Sequence, residues 1–88
     1  MKTEFLGHFF KSIDKLKSID VKGDVVNAII NVEQARDTSE IKSIKKLSGH
    51  KFSYRIRIGD YRIGVFIENE IVEFAIVAHR KDIYKIFP

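Results

Sequence analysis

Three arginines, Arg55, Arg57 and Arg62, fall within eight consecutive positions, interrupted by the pair Gly59-Asp60. A guanidinium offers two parallel charge-assisted N–H donors, a geometry that matches the oxygens of a phosphate. The chain around them is basic as well. From Lys42 to Arg62, seven basic residues (Lys42, Lys45, Lys46, Lys51, Arg55, Arg57, Arg62) stand against one acid, Asp60, giving a local charge of +6. The remainder has nine basic and eleven acidic residues, so the positive charge is concentrated rather than spread. That distribution suits a surface that meets a polyanion.

Other chemistries find little support. There is no cysteine, hence no disulfide or thiolate metal site. His8, His50 and His79 make no pair with the spacing and carboxylate that a metal site needs. Glu68, Glu70 and Glu73 cluster near a turn, and no Gly-rich phosphate loop or nucleophile elbow is present. No metal and no cofactor is expected. The longest apolar runs are about five residues, so no membrane span is expected, and a soluble cytoplasmic protein is the default.

Eighty-eight residues, 44% hydrophobic with one proline, make a single folded domain over residues 1–88. Its elements follow from apolar period. Residues 1–6 suit a strand. Phe9, Phe10, Ile13 and Leu16 recur at helical spacing. A second helix is expected from an Asp20 cap to about Ala35, with Val21, Val25, Ile29 and Val32 on one stripe and Val26 and Ile30 beside it. Residues 36–51 read as a connector anchored by Ile41, Ile44 and Leu47. From Phe52 the period becomes two, giving three strands over 52–58, 61–67 and 71–78. Asp82 to Ile86 suit a short helical turn. The expected fold is α+β, in the order β-α-α-β-β-β, with a helical hairpin packed on an antiparallel sheet.

Taking Gly59-Asp60 as a two-residue loop sets the register. Arg57 then faces Arg62, and Arg55 faces Gly64. Tyr54, Ile56, Ile58, Tyr61, Ile63, Val65 and Ile67 point to the core, and all three arginines point away. Continuing past the next turn places Val72, Phe74, Ile76 and Ala78 in the core, with Glu73, Ala75, Val77 and His79 on the arginine side. Like charges directly opposite weaken a hairpin, and such conflicts concentrate at functional sites. Gly64 is expected to leave a depression there for a ligand's backbone.

The segment YRIRIGDYRIGVF, followed by AHRKDIYKIFP, resembles the RelE toxins of the RelE/ParE toxin–antitoxin superfamily. The resemblance covers the whole chain and is most specific in these two motifs. It implies a metal-independent endoribonuclease that enters the ribosomal A site and cuts the message there, a 2′-hydroxyl attacking the adjacent phosphate. It also implies a cognate antitoxin, messenger RNA and the ribosome as partners.

Carried over by position, the catalytic set is Arg55, Arg57, Arg62, Arg80 and Tyr84. Arg62 and Arg80 are expected to stabilise charge on the phosphorane, Arg57 the leaving oxygen, and Arg55 the nucleophile's orientation. Tyr84 is expected to stack on a base or exchange a proton. Strand-two arginines replace the lysines of some members and remain protonated, which argues against a base role. His79 is therefore added as a proton carrier. Lys45, Lys46, Lys51 and Lys81 are further expected RNA contacts. Two alternatives share the fold: a ParE-type DNA gyrase inhibitor, and a degenerate or non-catalytic nucleic-acid-binding member. The apolar residues of the first two helices, such as Phe9 or Val26, are expected to contribute to the partner interface.

Overall fold

The computed structural model describes all residues 1–88. In chain order the elements are β1 (Lys2–Phe5), α1 (Gly7–Asp14), α2 (Ile19–Gln34), β2 (Ile44–Lys46), β3 (Ser53–Ile58), β4 (Tyr61–Glu68), β5 (Ile71–His79) and α3 (Ile83–Ile86). The five strands form one sheet in the order β1-β5-β4-β3-β2. Strands β2 to β5 pair antiparallel, and β1 pairs parallel with β5, so the sheet is mixed.

Both long helices cover one face of this sheet. Phe9 of α1 and Val25 and Val32 of α2 are buried against Ile56, Ile63, Val65, Val72, Phe74 and Val77. The stripe expected on α2 is the one that packs, while Val26 and Ile30 beside it remain exposed. The cap of α2 is Ser18, two residues earlier than Asp20, because its hydroxyl accepts from Val21 N–H at 3.3 Å. Asp20 lies in the first turn instead, where a negative charge favours the helix dipole.

The connector is more ordered than its polar composition suggests. Asp37 caps a single 3₁₀ turn, Thr38–Glu40, through Ser39 N–H at 2.9 Å. The chain then enters β2, which pairs Ile44 with Ile56 and Lys45 with Arg55. Three residues are too few for a period-two pattern to be read, which is why this strand is invisible in the sequence.

The β3–β4 register is the expected one throughout, with Arg57 opposite Arg62 and Arg55 opposite Gly64. The β4–β5 register is not. Val65 pairs with Phe74, but Gly64 pairs with Ile76, so Ala75 is an extra residue in a β-bulge. Beyond it every side chain of β5 changes face. Val77 enters the main core at 4% exposure, whereas Ile76 and Ala78 move to the arginine side. His79 pairs with Tyr61 and moves to the helix side. The bulge is held from outside the sheet: Val77 N–H donates to Ser12 Oγ at 2.9 Å, and that hydroxyl donates to Phe9 C=O at 2.7 Å.

The arginine side of the sheet is not bare. The final segment folds back across it, burying Ile83 and Phe87 against Ala75, with Leu6, Leu47, Phe66, Ile76 and Ala78 around them. Phe87 lies over Gly64, where an added Cβ would sit 2.7 Å from two of its ring atoms. The depression expected at Gly64 is therefore filled by the protein's own side chain.

Candidate functional site

The β3–β4 turn carries Gly59 at φ 63°, a left-handed conformation that glycine adopts without penalty. Around this turn three arginines meet. Arg57 and Arg62 are paired across the ladder on the same face. Arg62 bends toward the turn, its guanidinium donating to Gly59 C=O at 2.8 Å and to Tyr61 C=O at 2.9 Å. That engagement draws its charge away from Arg57 and fixes its head, leaving the remaining N–H groups free.

Arg80 joins them from the end of β5. Its backbone N–H donates to Asp60 C=O at 2.8 Å, and its Nε lies 3.8 Å from Asp60 Oδ1. The ion pair is solvent-exposed and contributes little stability, but the backbone bond anchors Arg80 to the turn. In the sequence Asp60 is only a turn former; nothing around it shows that a residue twenty positions later leans on it.

Arg55 is one pleat further in, between Lys45 of β2 and Gly64 of β4. Its guanidinium donates to Ser43 C=O at 3.4 Å, and its Nε is shielded from solvent with no partner. A buried donor left unpaired costs about 1–3 kcal/mol, so Arg55 is held at some expense to stability. Arg57, by contrast, is exposed and its side chain has no protein partner.

Tyr84 lies in the segment that docks on the same face of the sheet. Ile83 and Phe87 are buried on the arginine side, so the intervening turn of α3 lies on that side too. Tyr84 follows buried Ile83 and is 59% exposed. Its side chain is thus exposed on a segment docked against Ala75 and its apolar neighbours.

The other expected contacts separate. Lys45 shares the arginine face through its pairing with Arg55. Lys46 pairs with Tyr54 and so projects on the opposite side of the sheet. Lys51 lies at the far end of β3, with its ammonium 5.3 Å from the Phe52 ring centroid. Lys81 follows Arg80 in the turn, its N–H donating to His79 Nδ1 at 3.2 Å. His79 does not face the arginines: the bulge turns it to the helix side, edge-on to the Tyr61 ring at 5.4 Å between centroids.

The opposite end of this same sheet face is acidic. Glu4 pairs with Glu73, and with Glu68, Asn69 and Ile71 they line a shallow depression. Arg62 and Glu68 are both on this face of β4, about 20 Å apart at the usual strand rise. The face therefore carries a field gradient, drawing a polyanion to the turn end and repelling it from the other. No group of His, Cys, Asp or Glu is placed to hold a metal ion. No helix is long and apolar enough to cross a membrane.

No family model matches the chain. It is 33% identical over 89 residues to Toxin RelE3 of Methanocaldococcus jannaschii, an alignment that spans 100% of both proteins. Among solved structures it superposes on the RelB–RelE antitoxin–toxin complex from Methanococcus jannaschii with a TM-score of 0.80, at 30% identity and over 97% of this chain and 99% of that one. The intact Escherichia coli RelBE toxin–antitoxin complex gives a TM-score of 0.69 at 18% identity, covering 89% of this chain and 94% of that one, a likeness of fold alone. A full-length relative at 33% identity and a solved relative at a TM-score of 0.80 settle the family: the chain belongs to the RelE toxins.

Proposed function

We propose that this toxin is a metal-independent endoribonuclease that cleaves messenger RNA in the ribosomal A site. The observation that supports the reading is that Arg57 and Arg62 pair beside the Gly59-Asp60 turn, that Arg80 bonds to Asp60 of that turn, and that the segment bearing Tyr84 packs on the same side of the sheet as the arginine pair. In-line attack of a 2′-hydroxyl on the adjacent phosphate forms a phosphorane, then expels the 5′-oxygen and leaves a 2′,3′-cyclic phosphate. Cations fixed before the reaction stabilise the developing charge without reorganising. Arg62 is fixed by two carbonyls and Arg80 is anchored at the turn by its backbone bond to Asp60, so these two are assigned to the phosphorane. Arg57, unpartnered and exposed, is assigned to the leaving oxygen or the strand backbone, and Arg55 to orienting the nucleophile.

Arginine does not act as a base, and His79 faces away. Proton transfer then falls to Tyr84 and to groups that the ribosome brings, so naked RNA is a poor substrate. Lys45, on the same face, extends the track for the message backbone.

The partner in the cell is proposed to be a cognate antitoxin, in keeping with the complexes formed by the structural relatives. Val26 and Ile30, one turn apart on α2 and 53% and 44% exposed, form an apolar strip suited to a helix or strand of that partner. Phe9 is fully buried and contributes to the core instead.

The deciding experiment uses ribosomes stalled with a defined codon in the A site and maps new message ends. Cuts within that codon, reduced by about 10²–10³-fold in Arg62→Ala, are expected. Absence of cuts by a folded wild-type protein overturns the nuclease reading and makes gyrase supercoiling the next assay.

A further inference from the structure

Strand β1 forms one end of the sheet and pairs only with β5, so its other edge is open. Leu6 N–H donates to Phe74 C=O at 3.0 Å, which makes Leu6 and, by alternation, Glu4 and Lys2 the residues whose backbone groups bond β5. Thr3 and Phe5 therefore turn their N–H and C=O groups outward. Unpaired groups along such an edge are a template for another strand.

The side chains of β1 carry two conflicts with remaining bare. On the arginine side of the sheet, Glu4 stands directly opposite Glu73, a like-charge pair of the kind that weakens a ladder. Glu68 lines the same depression, and no cation relieves the group, since the ion pairs of the chain are Arg36–Glu40 and Arg80–Asp60. Lys2 lies on the same side as Glu4, two residues away, and it has no ion-pair partner either. On the helix side, Phe5 and Phe10 lie 5.8 Å apart between ring centroids and are 38% and 54% exposed.

A second β1, antiparallel to the first and centred on Thr3, resolves the charge conflict. In that register Thr3 exchanges both backbone hydrogen bonds with the partner's Thr3, and Lys2 falls opposite the partner's Glu4. These two form a non-hydrogen-bonded pair, in which side chains approach most closely. Each Glu4 then lies between its own Glu73 and the partner's Lys2. Phe5 meets the partner's Met1, apolar against apolar. Registers two residues to either side set Lys2 against Lys2 or Glu4 against Glu4, so charge selects this one. The arrangement is isologous and closes at two copies.

We propose that the toxin self-associates through β1, joining two five-stranded sheets into one across a Thr3-centred antiparallel pair. The occupant is a second copy of this chain because the lysine that Glu4 lacks stands on the same strand. Beyond Phe5, β5 runs on without β1 to His79, so the Gly59-Asp60 turn lies outside the joint. The proposal is independent of the nuclease reading.

The test is sedimentation equilibrium of the isolated toxin over a range of concentration and salt. A monomer–dimer equilibrium that weakens as salt rises is expected, in the micromolar range for so short an edge. Lys2→Glu and Glu4→Lys should each weaken it about tenfold or more, because each sets like charges across the joint. The double reversal Lys2→Glu with Glu4→Lys should restore association to within about threefold of wild type, since the two positions only change places. Thr3→Pro removes an outward N–H, keeps every bond to β5, and should leave a folded monomer. A wild type that stays monomeric at every concentration would overturn the proposal. So would a dimer indifferent to the single reversals or to Thr3→Pro, or one that the double reversal fails to restore while remaining folded. If Thr3→Pro instead weakens only antitoxin binding, the edge belongs to the antitoxin and the second copy is excluded.

Discussion

The ring of Phe87 lies on Gly64, so close that a methyl group on that α-carbon would meet its Cγ and one Cδ at 2.7 Å. A residue of the final segment is thereby seated in the middle of the arginine face, and the turn bearing Tyr84 is seated with it. Phe87 is 5% exposed and also packs on Phe66 at 5.1 Å between ring centroids. Gly64→Ala should cost about 1–3 kcal/mol by overpacking, and Phe87→Ala about 3–5 kcal/mol by emptying the seat. Denaturant unfolding measures both. The double variant checks the contact itself: its destabilisation should fall short of the sum of the singles, and strict additivity would deny the coupling.

The β-bulge at Ala75 is supported by one hydroxyl. Ser12 Oγ accepts from Val77 N–H and donates to Phe9 C=O, tying α1 to the open edge of β5 beyond the reach of β1. In Ser12→Ala the buried Val77 N–H has no acceptor, at a cost of about 1–3 kcal/mol. Amide exchange should accelerate first at Val77, before the core strands as a whole. A stability equal to wild type would mean that the bulge holds itself.

His79 and Tyr84 now separate by position. His79 packs edge-on to Tyr61 on the helix side, whereas Tyr84 projects from the segment on the arginine side. His79→Gln should therefore cleave the A-site codon at the wild-type rate. Tyr84→Phe, which removes a hydroxyl that bonds nothing in the protein, should keep its fold and its affinity for RNA while losing product formation. A slow His79→Gln with normal RNA binding would restore the histidine to the mechanism.

Val26 and Ile30 are where the antitoxin is expected to be felt. Substituting Val26 by aspartate places a charge in an apolar strip that is exposed in the free toxin. Folding should be little affected, as for most exposed sites. Affinity for the cognate antitoxin, measured by calorimetry, should fall by about tenfold or more, as for a central interface position. Unchanged affinity would move the interface elsewhere.

How far the site was legible depends on the distance over which each residue is placed. The β3–β4 hairpin was readable because its turn and its period are local, and so Arg57 opposite Arg62 followed from the letters. His79 was misplaced because a bulge adds one residue without changing composition, and a slip of one reverses every side chain after it. Arg80 and Tyr84 joined the arginines only through contacts far along the chain, with Asp60 and with the bed of Ala75 and Gly64. Resemblance suggested them, but no period in the sequence encodes such docking.

The pair Arg57–Arg62 sets stability against activity. Two guanidiniums opposite one another repel, and Arg62 relieves part of this by bonding to turn carbonyls rather than projecting straight outward. Threonine at position 57 keeps a good strand former and removes the like charge. Arg57→Thr should therefore raise unfolding stability by about 0.2–1 kcal/mol. The gain should shrink at high salt, because repulsion between exposed charges is screened there. The same substitution should slow A-site cleavage, because Arg57 is assigned to the leaving oxygen or the strand backbone. A variant that is less stable than wild type at low salt would show that Arg57 is retained for packing, and that its charge is not what the fold tolerates for the sake of RNA.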